Sequence, residues 1–134
     1  MSMASWRIGA AGMGKRKQQV GRWGEEVAAR FLEEHGYRIL ARNLRTAYGE
    51  IDLIVEKEGV TIFVEVKART GEGFGRPEEA ITPAKRSHLI NAIQAYWQAQ
   101  PGVQSGWQVD VIAVQGRPGG KELHIEHFEN AVTE

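Results

Sequence analysis

Asp52, Glu65 and Lys67 stand in a stretch, GEIDLIVEKEGVTIFVEVKART (residues 49–70), whose apolar residues otherwise alternate like those of a buried hairpin. Two acids and a lysine are the side chains that hold a hard divalent cation and manage protons beside it. Whether they act together depends on the register of the strands that carry them.

Ile51, Leu53 and Val55 alternate on the first run, and Val60, Ile62, Val64 and Val66 on the second. Burying both sets on one face requires them to oppose each other, which only one parity of pairing achieves. Pairing Lys57 with Val60 across Glu58-Gly59 sets Val55 against Ile62, Leu53 against Val64, Ile51 against Val66, and Asp52 against Glu65. Cross-strand Cβ atoms are ~5 Å apart, and Lys67 projects from the face of Glu65 about 7 Å further along. A slip of one residue would bury Glu65 among Ile51, Leu53 and Val55, where an unpaired carboxylate costs several kcal/mol. Glu-Gly is not the favoured Asn-Gly turn, so a bulged turn of the same parity also satisfies the pattern.

The charged face also carries Ile54 and Phe63, so it does not read as plainly solvated surface. Two carboxylates this close in a partly covered site repel. Mg²⁺ or Mn²⁺ held by Asp52 and Glu65 would relieve that repulsion. Lys67 would relieve it too, as an inert ion-pair cluster, and spacing alone leaves both arrangements open.

The flanking elements are legible by period. Val20, Trp23, Val27 and Phe31, with Ala28 and Leu32, recur at three and four from Gln18 onward, an amphipathic helix that Gly36 suits as a stop. YRILARN (37–43) reads as a strand, followed by a turn at TAYG. After a Gly-rich loop (70–77), Thr82 and Pro83 cap and begin a second helix with Leu89, Ile93, Tyr96 and Trp97 as its stripe, ended by Pro101-Gly102. WQVDVIAVQ (107–115) and LHIEHF (123–128), separated by RPGG, complete the order α, three strands, α, two strands: a mixed sheet with helices packed on it.

The whole chain, 134 residues, has the length of a single domain, expected over 18–134 with a mobile basic arm at 1–17. It has no cysteine, which rules out disulfides and thiolate chemistry and fits a reducing compartment, so cytoplasmic is the default. No run of membrane-spanning length is present, and no membrane partner is expected. Seventeen basic and seventeen acidic residues cancel, but residues 1–45 are net positive by five, and from Lys121 onward one lysine faces four glutamates. That asymmetry suits a phosphate-binding footprint and ordinary solvated charge equally well.

GEIDLI followed by EVK resembles the PD-(D/E)xK nuclease signature, with Asp52, Glu65 and Lys67 in its named places and Ile51 where proline is usual. GRWGEEVAARFLEEHGYRILARNLR, GEIDLI, FVEVKAR, PEEAITPAKR and WQVDVIAV also resemble, in that order, segments of the bacterial YraN family, related to Holliday junction resolvases. The match covers residues 20 to 131; EVK alone carries little weight, and the ordered set carries much. The resemblance implies a restriction-endonuclease-like αβββαβ core and a Mg²⁺- or Mn²⁺-dependent endonuclease acting on DNA, branched or otherwise structured. It implies metal ligation by Asp52, Glu65 and the Val66 backbone carbonyl, with Lys67 acting on the attacking water or the developing charge. It also assigns an acid on the first helix to Glu25 through GxxGE, whereas Glu26 would point about 100° around the helix. Without the family, either acid reads as a favourable charge near a helix N-terminus.

Lys85 suits a DNA phosphate contact, since the family tends to have a lysine there, and suits a solvated helix lysine nearly as well; Arg69 and Arg76, at the edges of the Gly-rich loop, suit phosphates too. His124 and His127 lack zinc spacing and read as structural, Asp110 as a polar edge position or an orienting group, and Trp23, Tyr96 and Trp97 as core. A homodimer is compatible with a two-fold-symmetric junction substrate, although no segment identifies an interface. Two rivals use the same residues: a nucleic-acid-binding protein on this fold that does not cut, and a protein interaction module whose charged cluster is only an ion-pair network.

Overall fold

The computed structural model describes residues 13–70, 82–99 and 107–132. The elements follow in the order α1 (Met13–Glu34), β1 (Arg38–Thr46), β2 (Gly49–Lys57), β3 (Val60–Arg69), α2 (Pro83–Gln98), β4 (Trp107–Gly116) and β5 (Leu123–Val132). This is the expected restriction-endonuclease-like core, αβββαβ, with β5 appended. Helix α1 begins earlier than the periodicity indicated: residues 13–17 already belong to it, and the rest of the expected arm lies outside the described residues, as do the Gly-rich loop after Thr70 and Arg76.

Local chemistry explains the boundaries. Gly36, at φ 90°, ends α1 with the Tyr37 N–H donating to the Leu32 carbonyl at 2.9 Å, the wrapped-back bond of a left-handed helix cap. Thr82 caps α2, its hydroxyl accepting the Lys85 N–H at 3.1 Å, and Pro83 opens the helix where no N–H is needed. Between β2 and β3, Glu58 and Gly59 both have positive φ, 53° and 82°, so the hairpin turns in two residues without a bulge.

The sheet runs β1-β2-β3-β4-β5, antiparallel except for the parallel β3–β4 pair. Helix α1 covers one face, packing Ala28, Ala29 and Leu32 on Leu53, Val55, Ile62, Val64, Ile112 and Val114. Helix α2 covers the other, where Leu89, Ala92 and Ile93 meet Ile51, Ile54, Phe63 and Val109. Trp23 packs into the first core and Tyr96 and Trp97 into the second, edge-on to Phe63, as their helical spacing indicated.

Because β2 starts where β3 and the parallel β4 end, one end of the sheet gathers the β1–β2 turn, the end of β3, the β4–β5 turn and the N-terminal halves of both helices. No helix among the described residues is long and apolar enough to cross a membrane.

Candidate metal and catalytic site

The hairpin pairs as hydrophobic burial demands over most of its length: Lys57 opposes Val60, Val55 opposes Ile62 and Leu53 opposes Val64. At that point the ladder ends. The Val66 N–H is instead taken by the carboxylate of Asp52, with Oδ2 accepting at 2.9 Å. Asp52 thus lies in the gap where β2 and β3 part, and the charge of Glu65 acts on it without the two forming a simple cross-strand pair.

The expectation that Ile51 shares the face of Leu53 and Val55 is corrected. Ile51 packs with Ile54 in the core under α2, while Leu53 and Val55 face α1. The cause lies in β1, where Asn43 takes a left-handed conformation at φ 50°. Arg42 pairs with Leu53 and Leu44 with Ile51, so the kink falls opposite Asp52, and Ala41 and Leu44, three residues apart, both reach the α2 core. A left-handed residue inside a strand rotates the pleat and re-aims its neighbours, as bulges next to active sites do.

Helix α1 supplies the third wall. Gly24 is buried, and a Cβ built on it would overlap the Cβ of Ala68, so the helix backbone crosses β3 at closest approach there. That crossing brings Glu25 over the parted strands. Its neighbour Glu26 points away and is held on the surface by Arg42 at 2.8 Å and Arg30 at 3.2 Å.

One carboxylate oxygen from each of Glu25, Glu50 and Asp52 lies within 4.8 Å of the others. An ion bonded at about 2.1–2.4 Å spans about 4.2–4.8 Å between opposite ligands, so these donors fit a hard divalent cation such as Mg²⁺, Mn²⁺ or Ca²⁺. Their electrostatics fit as well. Burial, then the neighbouring Glu65, pushes the Asp52 carboxyl up to about 8. Burial and the charge of Glu50 raise Glu25, while the nearby Asn43 amide and Asp52 carboxyl partly offset the rise. Crowded, partly desolvated carboxylates that resist ionisation become ionised when a cation shares them.

Glu65 is not one of these three. It is 6% exposed on the α2 side, where the ammonium of Lys85 bonds to Oε2. Burial raises its pKa, while Lys85 and, more weakly, Lys67 hold it down. Lys67 follows Glu65 on the same face, one pleat toward the strand end. Lys85 reaches Glu65 from the exposed first turn of α2, and Arg69 lies at the end of β3, level with Gln115. The Val66 peptide is at the site through its N–H, and its side chain packs under α1. A pocket of about 180 Å³ opens beside these groups, between Glu50 and Glu65 on the sheet and Lys85 and His88 on α2.

Glu50 and Asn43 went unnoticed in the sequence. Glu50 sits two residues before the signature aspartate, where strand alternation puts both acids on one face, which is a usable signal, whereas nothing in the pattern marks Asn43 as a kink. Asp110 is corrected from an edge position: it is fully buried on the interior strand β4, accepting from Gln108 at 2.8 Å and from the Asn130 N–H at 2.9 Å, and bonded to His127 at 2.7 Å. It secures a bulge in β5 on the α1 side and belongs to the scaffold.

Similarity extends over the stretch that builds this geometry. Residues 24–114, from the close-packed Gly24 to Val114 on β4, match the family described as uncharacterised protein family UPF0102. A UPF0102 protein of Pelotomaculum thermopropionicum is 44% identical over 119 residues, covering 89% of this chain and 99% of that protein. One from Syntrophomonas wolfei is 42% identical over 114 residues, 85% of this chain and 97% of that protein. One from Roseiflexus castenholzii is 41% identical over 120 residues, 89% and 97% respectively. Since the match takes in the half of α1 that carries Glu25, all of α2, the parted hairpin and all the acids described, this chain belongs to the UPF0102 family, the YraN family of the sequence resemblance.

Proposed function

We propose that this protein is a metal-dependent endonuclease that hydrolyses phosphodiester bonds in DNA, branched or otherwise structured DNA included. The observation that carries the reading is the convergence of Glu25 from α1 with Glu50 and Asp52 from β2 at a point where two strands part. A structural ion-pair network would give each acid a basic partner; here Arg45 reaches Glu50 at 3.9 Å, while Glu25 from α1 and Asp52 from β2 bring their carboxylates to the same point.

A divalent cation bound by Glu25, Glu50 and Asp52 would polarise a phosphate oxygen and lower the pKa of a bound water. The chain's own groups supply the rest. Lys67, one pleat from Glu65, orients or deprotonates the attacking water, or balances the negative charge that builds on phosphorus oxygens. Lys85 neutralises Glu65 until substrate arrives, and on moving to a phosphate would free Glu65 to join Asp52 and the Val66 carbonyl as a ligand. The Val66 N–H fixes the orientation of the Asp52 carboxylate.

The test is incubation of branched, single-stranded and duplex DNA with the protein in Mg²⁺ or Mn²⁺. Cutting that is lost with chelator, and lost in Asp52→Asn and Lys67→Ala, is the expected result. The Lys85–Glu65 contact favours a second reading, a nucleic-acid-binding protein on the same fold that does not cut, since an internal cation already satisfies one signature acid. Salt-dependent binding of the same DNAs with no cleavage in either metal would select it.

A further inference from the structure

The acidic site creates a problem for a polyanionic ligand. Wherever Glu25, Glu50, Asp52 and Glu65 are ionised and no divalent cation offsets them, they would repel an approaching phosphate chain, so cations beside them must add to the affinity. Several nearby cations are already engaged: Arg42 with Glu26, Arg45 with Glu50 and Lys85 with Glu65. Among the described residues, Arg69, Arg117 and Lys121 are in no ion pair.

The topology brings Arg69 to the sheet end from which the turn carrying Arg117 and Lys121 extends. Arg69 on β3 is level with Gln115 on β4, which is level with His124 on β5, so the three form one row across the sheet. Strands lie about 4.8 Å apart, which puts His124 about 10 Å from Arg69. Lys67 lies in the adjacent row toward the acidic site. Just past that row the β4–β5 turn carries Arg117 and Lys121, and a cleft of about 920 Å³ lies between the turn and Thr70 at the end of β3. Among the described residues, Glu122 is the one acid that lines it.

The turn is pinned rather than loose. The Gly120 N–H donates to the Arg117 carbonyl at 2.8 Å. At Gly116, φ 153°, a Cβ would lie 2.6 Å from the Glu122 carbonyl oxygen, so the two arms of the turn approach as only glycine allows. A close, hydrogen-bonded turn presents its cations at fixed backbone positions, the preorganisation that a repeating anion rewards.

We propose that the β4–β5 turn, through Arg117 and Lys121 with Arg69 beside them, is a second phosphate-binding surface that holds the backbone of a DNA strand running past the acidic site. The ligand follows from the nuclease reading, on which this surface rests. The arrangement itself favours a polyanion with charges repeating along its length: Lys67, Arg69 and the turn mark a path that begins at the acids and leads off the sheet end.

Binding of labelled single-stranded and duplex oligonucleotides by the full chain, in the non-cutting Asp52→Asn background with Mg²⁺ and across a salt series, tests the surface. Arg117→Ala with Lys121→Ala should weaken binding and lower the slope of log affinity against log salt by about 1.4 for single strands or about 1.8 for duplex, two phosphate contacts' worth. Arg117→Lys with Lys121→Arg should keep the parental slope, which separates lost charge from a damaged turn. An unchanged slope in the alanine pair, or no salt-dependent binding by the parent, overturns the surface. If the protein cuts no DNA but the alanine pair still loses slope, the nuclease reading falls and the surface stands. If the protein cuts DNA and the alanine pair keeps its slope, the surface alone falls.

Discussion

Gly24 of α1 and Ala68 of β3 meet so closely that a side chain on the first would occupy the space of the second. This contact sets the depth at which the helix lies on the sheet, and therefore where Glu25 stands relative to Asp52. Position 24 tolerates glycine for packing reasons, although glycine inside a helix costs roughly 0.5–1 kcal/mol relative to alanine.

Gly24→Ala should accordingly destabilise the protein rather than stabilise it. Overpacking costs about 1–3 kcal/mol, which outweighs the propensity gain. Pairing it with Ala68→Gly should recover part of the loss, as thermal or urea unfolding would show. A single variant more stable than the parent would contradict the close approach. Mn²⁺ affinity should fall in Gly24→Ala as well, because the helix carrying Glu25 must lift.

The Asp52 carboxyl, held up at about 8, gives the metal-free protein an unusual pH dependence. The folded chain keeps a proton that the unfolded chain releases near its ordinary value of 3.8, so stability is greatest on the acid side and declines as pH rises toward 8. The raised Glu25 and Glu65 carboxyls push in the same direction. Urea unfolding in chelator from about pH 5 to about 8 should show that decline, on the order of a few kcal/mol. Asp52→Asn, which still accepts the Val66 N–H but does not titrate, should flatten it. Adding Mn²⁺ should reverse the trend, because the cation binds ionised carboxylates and stabilises the fold that holds them. Equal pH slopes in parent and variant would refute the assignment.

Glu50 is the residue that tests the composition of the site. If the three converging oxygens bind the ion, Glu50→Gln should weaken Mn²⁺ binding in calorimetry as Glu25→Gln does, with Asp52→Asn more severe because it is the most buried of the three. Full affinity in Glu50→Gln would move the ion to Asp52 and Glu65.

Lys85 is 44% exposed and its partner Glu65 only 8%, so removing the lysine strands a buried acid. Lys85→Met should cost about 1–2 kcal/mol near neutral pH, less than a fully buried pair because solvent screens the lysine end. The loss should shrink at acid pH, where Glu65 takes up a proton, and Glu65→Gln should restore much of it in a double-mutant cycle. Mn²⁺ should bind Lys85→Met more tightly, since a cation replaces the missing charge. Weaker metal binding there would assign the lysine a supporting role in the site instead.

Asp110→Ala should leave metal binding unchanged while costing about 3 kcal/mol, because the Asn130 N–H, Gln108 and His127 lose a buried acceptor together. Faster amide exchange along β5, with normal Mn²⁺ affinity, is the expected pattern. A loss of metal affinity without a loss of stability would place Asp110 with the site.

Much of this arrangement is written in short-range pattern. The periods of α1 and α2, the Thr82-Pro83 start, the Gly36 stop and the five strands follow from side-chain spacing and backbone preference, which act over a few residues. The parity of the β2–β3 hairpin follows too, because any slip buries a charge, and that penalty is readable without coordinates. Strand ends were less legible: β1 runs on to Thr46 and β5 to Val132, since pairing with a neighbouring strand extends both beyond their apolar cores.

The amino-acid sequence by itself thus determined the elements, the register of the hairpin's closed half, and the presence of Asp52, Glu65 and Lys67 at one end of it. Only the tertiary structure decided that Asp52 turns into the parting strands, that Ile51 crosses to the other core, that Glu25 and Glu50 complete the acid cluster and that Lys85 takes Glu65. Those outcomes depend on a left-handed Asn43, on the depth at which α1 crosses β3 at Gly24, and on where the N-terminus of α2 comes to rest. Each is a contact between residues distant in the chain, and no local period encodes the distance between two elements that meet only after folding.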